Sequence, residues 1–224
     1  DQAGNYFGNF TGRIVDINPL FDDRGISARD KSTLGDGSSV VVGGFNRYGP
    51  TDKILLMIDD INDNRRDTFI RLYNDDEGHY PFVVNDDAYR ASVLKKFLGS
   101  IYDDGQRQNY NNIPIYRYAD VVLMLAEAKN NLNEDPSAEI NAVRKRAYED
   151  KFEDYRFVNG DQASNRRVIL DERLKEFIGE GKRWWDLVRA GDGIVFEEIE
   201  PLKASDAYKI YYSISQGMLA NDDQ

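Results

Sequence analysis

The chain has 224 residues, of which 41% are hydrophobic and 31% charged, and it contains no cysteine. That size suits one large domain or two small ones with a modest core, and the missing cysteine removes disulfides, thiolate metal sites and cysteine nucleophiles. A net charge of −11 and a pI near 4.7 set the surface against nucleic-acid phosphates and anionic membranes.

The opening Asp1-Gln2-Ala3-Gly4 carries no initiator methionine and no leader, and reads as the middle of a longer chain. Half of the eighteen glycines fall in the first fifty residues, so long surface loops are expected there. Arg13–Ile17 and Val40–Val42 are short strand candidates within them. Residues 50–60, around Ile54-Leu55-Leu56-Met57-Ile58, fit a short helix capped by Thr51 or Asp52 or equally a buried strand, with the helix preferred. Thr68–Tyr73 reads as a strand, Asn74–Gly78 as a turn, and Tyr80–Val84 as the returning partner strand.

Helices dominate from there. Between Tyr116 and Leu132 apolar residues cover almost every face, the mark of a buried helix. Asp120 and Glu127 lie seven apart on one side of it. Asp135-Pro136 is a start signal for a second helix running to about Tyr148. The pair has the length of a tetratricopeptide hairpin, and roughly three such units are normally stacked to bury the apolar faces. The helical layer is therefore expected to complete itself against a further, N-terminal segment. A third helix is expected from near Val168, with Leu170, Leu174, Phe177, Gly181, Trp184 and Val188 on one face. Gly179 and Gly181 predict a break or a tight crossing, and Gly191 a C-terminal cap. Arg173–Glu176, Glu180–Arg183 and Arg183–Asp186 are spaced to pair along the surface. Lys209–Gln216 alternates as a final extended segment. The chain is treated as a single unit, 1–224: a loop-rich region over 1–115, helical motifs over 116–191, and a tail over 192–224.

Chemistry is scarce. His79, the only histidine, sits in an acidic turn and reads as a solvated loop residue. It is the only base a Ser-His-Asp triad could use, and a count of one excludes the usual His-rich zinc sites. Asp60–Asn64 starts like a calcium loop, but Arg65 and Arg71 stand where Gly and a bidentate Glu belong. Arg65 and Arg66 are expected to neutralise the acids around them. Glu172, Glu176 and Glu180 on successive turns read as a structural salt network in preference to a glycosidase pair. No catalytic residue, metal ligand or cofactor is assigned. Binding remains: Tyr6, Phe45 and Tyr48 lie in Gly/Asn-rich loops beside Asn46 and Arg47. Aromatic rings stack on the C–H faces of sugars while amide and guanidinium groups bond hydroxyls. These five are the candidate ligand-binding residues.

Four ordered motifs, Arg117 to Ala128, Ile140 to Ala147, Glu172 to Phe177 and Glu180 to Arg189, together resemble the SusD/RagB family of outer-membrane nutrient-binding lipoproteins. Asp63–Arg66 and Lys95–Phe97 extend the likeness, while Tyr212-Ser-Ile-Ser215 replaces both prolines of the family's Tyr-Pro-Ile-Pro. The resemblance implies a mainly α fold with irregular loops and a few short strands, carrying part of a tetratricopeptide-type layer. It also implies that this is the C-terminal half of such a protein, docked on its own N-terminal half. The parent would be lipid-anchored on the outer membrane through a segment absent from this chain. It would bind glycan for a SusC-like TonB-dependent transporter, without nucleic acid or enzymatic activity. Oligopeptide binding, or a docking role with no ligand, are the alternatives.

Overall fold

A computed structural model describes residues 49–73, 79–94, 96, 100–101, 107–108, 112 and 114–211. The expected strands at Arg13–Ile17 and Val40–Val42 lie outside these. The chain folds mainly as α-helix, with short antiparallel ribbons and irregular connections, as anticipated.

The first element among the described residues is helix α1, Asp52–Met57. Its first-turn Asp52 suits the positive end of the helix dipole, and its apolar residues bury Leu55 completely. A 3-10 turn over Asn64–Thr68 follows, opened by the Asp63 carboxylate accepting the Arg65 backbone N–H. Strand β1, Phe69–Tyr73, pairs antiparallel with β2, Tyr89–Leu94, in the register Phe69↔Leu94. Tyr80–Val84 is thus not the partner strand. Pro81 has no N–H to give a ladder, and the Phe82 N–H is taken by the Asp59 carboxylate. Phe82 drops instead into a core with Leu55, Ile58, Phe69, Leu94 and Ile178. A second small ribbon joins β3, Ser100–Ile101, to β4, Arg107–Gln108.

The helical hairpin forms as read. Helix α2, Tyr118–Asn131, and helix α3, Ser137–Tyr148, are joined through residues 132–136. Asp135 accepts the Ser137 N–H at 2.8 Å, which satisfies one orphan donor of α3. Helix α4, Gln162–Glu176, then packs back on α2. It starts six residues before the expected Val168, because the Asp161 side chain caps it through the Ser164 N–H at 2.9 Å. The polar run Gln162–Arg167 hides that first turn from any apolar period. Ala126, Ile140, Phe157 and Ile169 make one core between the three helices; Leu123, Val143 and Phe177 make the next.

The two glycines break the third helix. Gly179 has φ +78° and Gly181 φ +71°, a left-handed backbone that only glycine takes without cost. Helix α5, Arg183–Ala190, restarts beyond them and stops at Gly191, φ +114°. The break is also a tight crossing. A Cβ on Gly179 would stand 2.9 Å from Leu94 Cδ2, so ribbon and helices meet there. Helix α6, Asp192–Glu198, and a 3-10 turn over Ala204–Lys209 close a last core of Leu187, Val195 and Ile210. The expected extended tail therefore begins as a helical turn; residues from 212 onward are outside the described part.

Candidate functional site

Tyr6, Phe45, Asn46, Arg47 and Tyr48 all lie outside the described residues, so the structure brings none of them together. What it does build is an ionic framework inside the helices and an apolar stripe on their outside.

The framework starts from the inner face of α4. Glu172, Arg173 and Glu176 are each 3% exposed or less, although their spacing reads as a surface. They are buried because each finds partners on other elements. Arg65 donates to Asp63 at 2.8 Å and to Glu172 at 3.0 Å, and Arg144 donates to the other Glu172 oxygen at 2.9 Å. Burial would raise the Asp63 carboxyl, but the hydrogen bonds and charge of Arg65 outweigh it and hold Asp63 below its ordinary value. Arg65 itself is pushed up: burial works against its charge, and Asp63 and Glu172 overcome it.

Glu176 accepts from Arg117 at 2.6 Å and Arg146 at 2.5 Å. Glu180 accepts from Arg117 at 2.9 Å and Lys96 at 2.7 Å. Burial would raise the Glu180 carboxyl, yet bonds from Arg117 and Lys96 keep it lowered. At Lys96 the balance reverses, and desolvation drives the ammonium below its usual value despite Glu180. Lys96 also donates to the Glu176 and Ile178 carbonyls at 2.7 and 3.2 Å, closing the end of α4 onto the ribbon. Phe177 lies between two guanidiniums, Arg117 at 4.7 Å and Arg173 at 5.0 Å from its ring centre. Such cation–π contacts strengthen when desolvated.

Arg173 holds Asp186 at 2.8 Å and Asp120 at 3.4 Å. Lys182 stands 3.4 Å from the other Asp120 oxygen. Arg189 grips Glu127 with two bonds of 2.7 and 2.8 Å and Asp186 with one of 3.0 Å. The shared face expected for Asp120 and Glu127 is real, and both point at α4 and α5. The short-range pairs read from spacing give way to these long-range ones: Arg183 bonds Glu198 at 2.8 Å and the Leu170 carbonyl. Arg65 and Arg66 neutralise Asp63 and Asp59 as expected. His79 is not solvated: it stacks on Tyr73 at 3.8 Å between ring centres, with Nδ1 3.0 Å from Asp86. Burial pushes the Tyr73 phenol up to about 12. Among the described residues no group of three or more His, Cys, Asp or Glu is arranged to hold a metal ion. The buried carboxylates of the framework are each paired with a cation of the same framework.

Outside, the expectation of an all-round buried α2 fails in one direction. Tyr118, Val121, Leu125, Ala128 and Leu132 recur at spacings of three and four, and all are exposed, Tyr118 by 82% and Leu132 by 70%. Such a stripe is ordinarily a core-facing one.

Helical hairpins cross-braced by buried ion pairs, carrying short ribbons and irregular loops, define a repeat-type scaffold. The chain belongs to the SusD family, whose model matches residues 68–221. It is 38% identical over 141 residues to the SusD-like protein P25 of Formosa agariphila, covering 62% of this chain and 25% of that protein. It is 36% identical over 90 residues to the SusD-like protein P38 of the same organism, covering 37% of this chain and 18% of that one. Among solved structures, B. fragilis NanU superposes with a TM-score of 0.66 at 28% identity, over 88% of this chain and 42% of its own. A SusD superfamily protein from Bacteroides fragilis gives 0.67 at 27%, over 96% and 46%. The chain thus spans about a quarter of the first curated relative and less than half of the solved ones. SusD-family proteins are in general outer-membrane-associated lipoproteins that bind glycans and other nutrients and work beside SusC-like transporters.

Sequence reasoning found the helices that hold the framework and missed its membership. Arg117, Lys96 and Arg146 escaped because their partners are 30 to 84 residues away. A usable signal existed: Glu172, Glu176 and Glu180 recur every four residues through the end of α4 and the turn after it, a density of acid that calls for bases from elsewhere.

Proposed function

We propose that the chain is the C-terminal part of a cell-surface glycan-binding accessory lipoprotein. The parent captures oligosaccharide and passes it to a SusC-like TonB-dependent transporter. It is anchored in the outer membrane through a segment beyond these 224 residues. The observation that carries this reading is the family match over residues 68–221. The composition of the loops supports it, since Tyr6, Phe45 and Tyr48 supply stacking faces and Asn46 and Arg47 supply donors. No bond is made or broken; affinity comes from stacking and hydrogen bonds. Calorimetry of the full-length protein against a panel of neutral and acidic oligosaccharides and short peptides tests it. Saturable glycan binding that is lost in Tyr48→Ala, with an unchanged melting temperature, is expected. Binding of peptides alone moves the assignment to oligopeptide capture, and binding unaffected by Tyr48→Ala removes the loop site.

The α2 stripe favours a second role, docking. Its occupant in this reading is the N-terminal half of the same protein, continuing the helical layer. The 224 residues act as one unit in it, with 1–115 on the ligand side, 116–191 as the helical frame and 192–224 as the tail.

A further inference from the structure

A small cleft opens where the C-terminal turn of α2, the second turn of α4 and the end of α5 meet. It has room of about 70 Å³, with Ile169 and Leu170 as its floor and Glu127, Asn131, Arg166 and Arg189 on its rim. The charges around it do not balance. Asp120, Asp186 and Glu127 are matched by Arg173, Lys182 and Arg189 through the pairs described above. That accounting leaves Arg166 over. It is half-buried, and among the described residues no carboxylate lies within ion-pair distance of it. Its neighbour Arg167, by contrast, pairs with Glu197. A half-buried arginine that no described acid reaches is a vacancy for an external one.

We infer that the Arg166 cleft binds a single carboxylate. The guanidinium presents parallel N–H donors that match the two oxygens of a carboxylate. Asn131 stands beside it on the rim, and the Ile169–Leu170 floor accepts the carbon that bears the group. The space is far below the roughly 300 Å³ at which whole small-molecule ligands are enclosed. It takes an end group, with the rest of the ligand lying outside. Glu127, held by Arg189, sets a limit of one negative charge by repelling a second. The group can come from a uronate unit of an acidic glycan or from a free small acid, and the sources separate by experiment. This inference does not depend on the loop site: Arg166→Gln and Tyr48→Ala report on different residues.

The test follows methyl resonances of Ile169 and Leu170 in the full-length protein during titration with galacturonate, galactose or acetate. Galacturonate and acetate are expected to give saturable shifts and galactose none. Arg166→Gln weakens both acids at least tenfold, while Arg156→Gln, on an exposed arginine already paired with Glu153, changes nothing. Galacturonate tighter than acetate identifies the acidic sugar as the source; equal affinities identify the carboxylate alone. Shifts equal for galactose and galacturonate, no shift with either acid, or full affinity in Arg166→Gln each overturn the site. Because Arg166 makes no ion pair among the described residues, the variant is expected to retain the wild-type melting temperature, which guards against reading misfolding as lost binding.

Discussion

The inner face of α4 and the outer face of α2 invert the usual arrangement of a helix. On α4, Glu172, Arg173 and Glu176 are sealed in the interior, each clasped by partners from distant elements. On α2, Tyr118, Val121, Leu125 and Leu132 face out with nothing from the described residues over them. Charge is spent inside, where orientation matters, and apolar surface is left outside, where another body can bury it. Buried ion pairs are weak sources of net stability, because desolvation offsets their attraction, but they make their geometry costly to break. The two faces therefore answer differently to substitution: α4 is committed within this chain, and α2 is not.

The largest expected effect breaks the committed side. Glu176→Ala takes the carboxylate partner from Arg146, leaves Arg117 with Glu180 alone, and removes one neighbour of buried Arg65. Loss of one partner of a buried pair costs about 3–5 kcal/mol when the other is left alone; with Arg117 and Arg65 still paired and Arg146 solvated, the lower end, about 3 kcal/mol, is expected as a fall in the denaturant midpoint. Next is the crossing of ribbon and helix. Gly179→Ala must strain a φ of +78° and push Leu94 aside, which costs roughly 2 kcal/mol. The same change at Gly193, where nothing lies within 4 Å, is expected to leave stability within about 0.5 kcal/mol.

Acid is a gentler probe of the same framework. Asp63 and Glu180 both titrate below their ordinary values of 3.8 and 4.5. Their stabilising contributions are complete above those values and disappear as pH falls through the lowered ones. Melting temperature should hold steady from neutral pH to about 5 and drop below pH 4. In Arg117→Met the Glu180 share of that drop shrinks, since a main cause of its lowered pKa is gone. An unchanged acid profile in this variant would show that Glu180 is not held by Arg117.

Periodicity made the helices legible, and glycine chemistry made the break between α4 and α5 legible, because both are local. The salt network read at Glu172, Glu176 and Glu180 is present, but periodicity hid that Glu172, Arg173 and Glu176 are buried. A helical period sorts residues into apolar-in and polar-out, and it cannot see a guanidinium arriving from residue 65, 117 or 144. The partner of β1 was missed for a related reason. Tyr80–Val84 has strand-like composition, but Asp59, 23 residues earlier, claims the Phe82 N–H. The outward face of α2 reads as buried because its apolar residues recur at helical spacing, and spacing alone does not say whether anything covers them. Of the candidate binding residues, only their chemistry is legible: loop aromatics and amides have no period to place them.

The direct test of the contrast is Leu125→Asp in two settings, this 224-residue chain and the full-length protein. In the chain alone the side chain is half exposed, so denaturant unfolding should shift by no more than about 0.5 kcal/mol. In the full-length protein, with the stripe covered as proposed, the same substitution would bury an unpaired carboxylate and should cost about 2 kcal/mol or more. Equal effects in both settings would contradict the account, because α2 would then have no companion to lose.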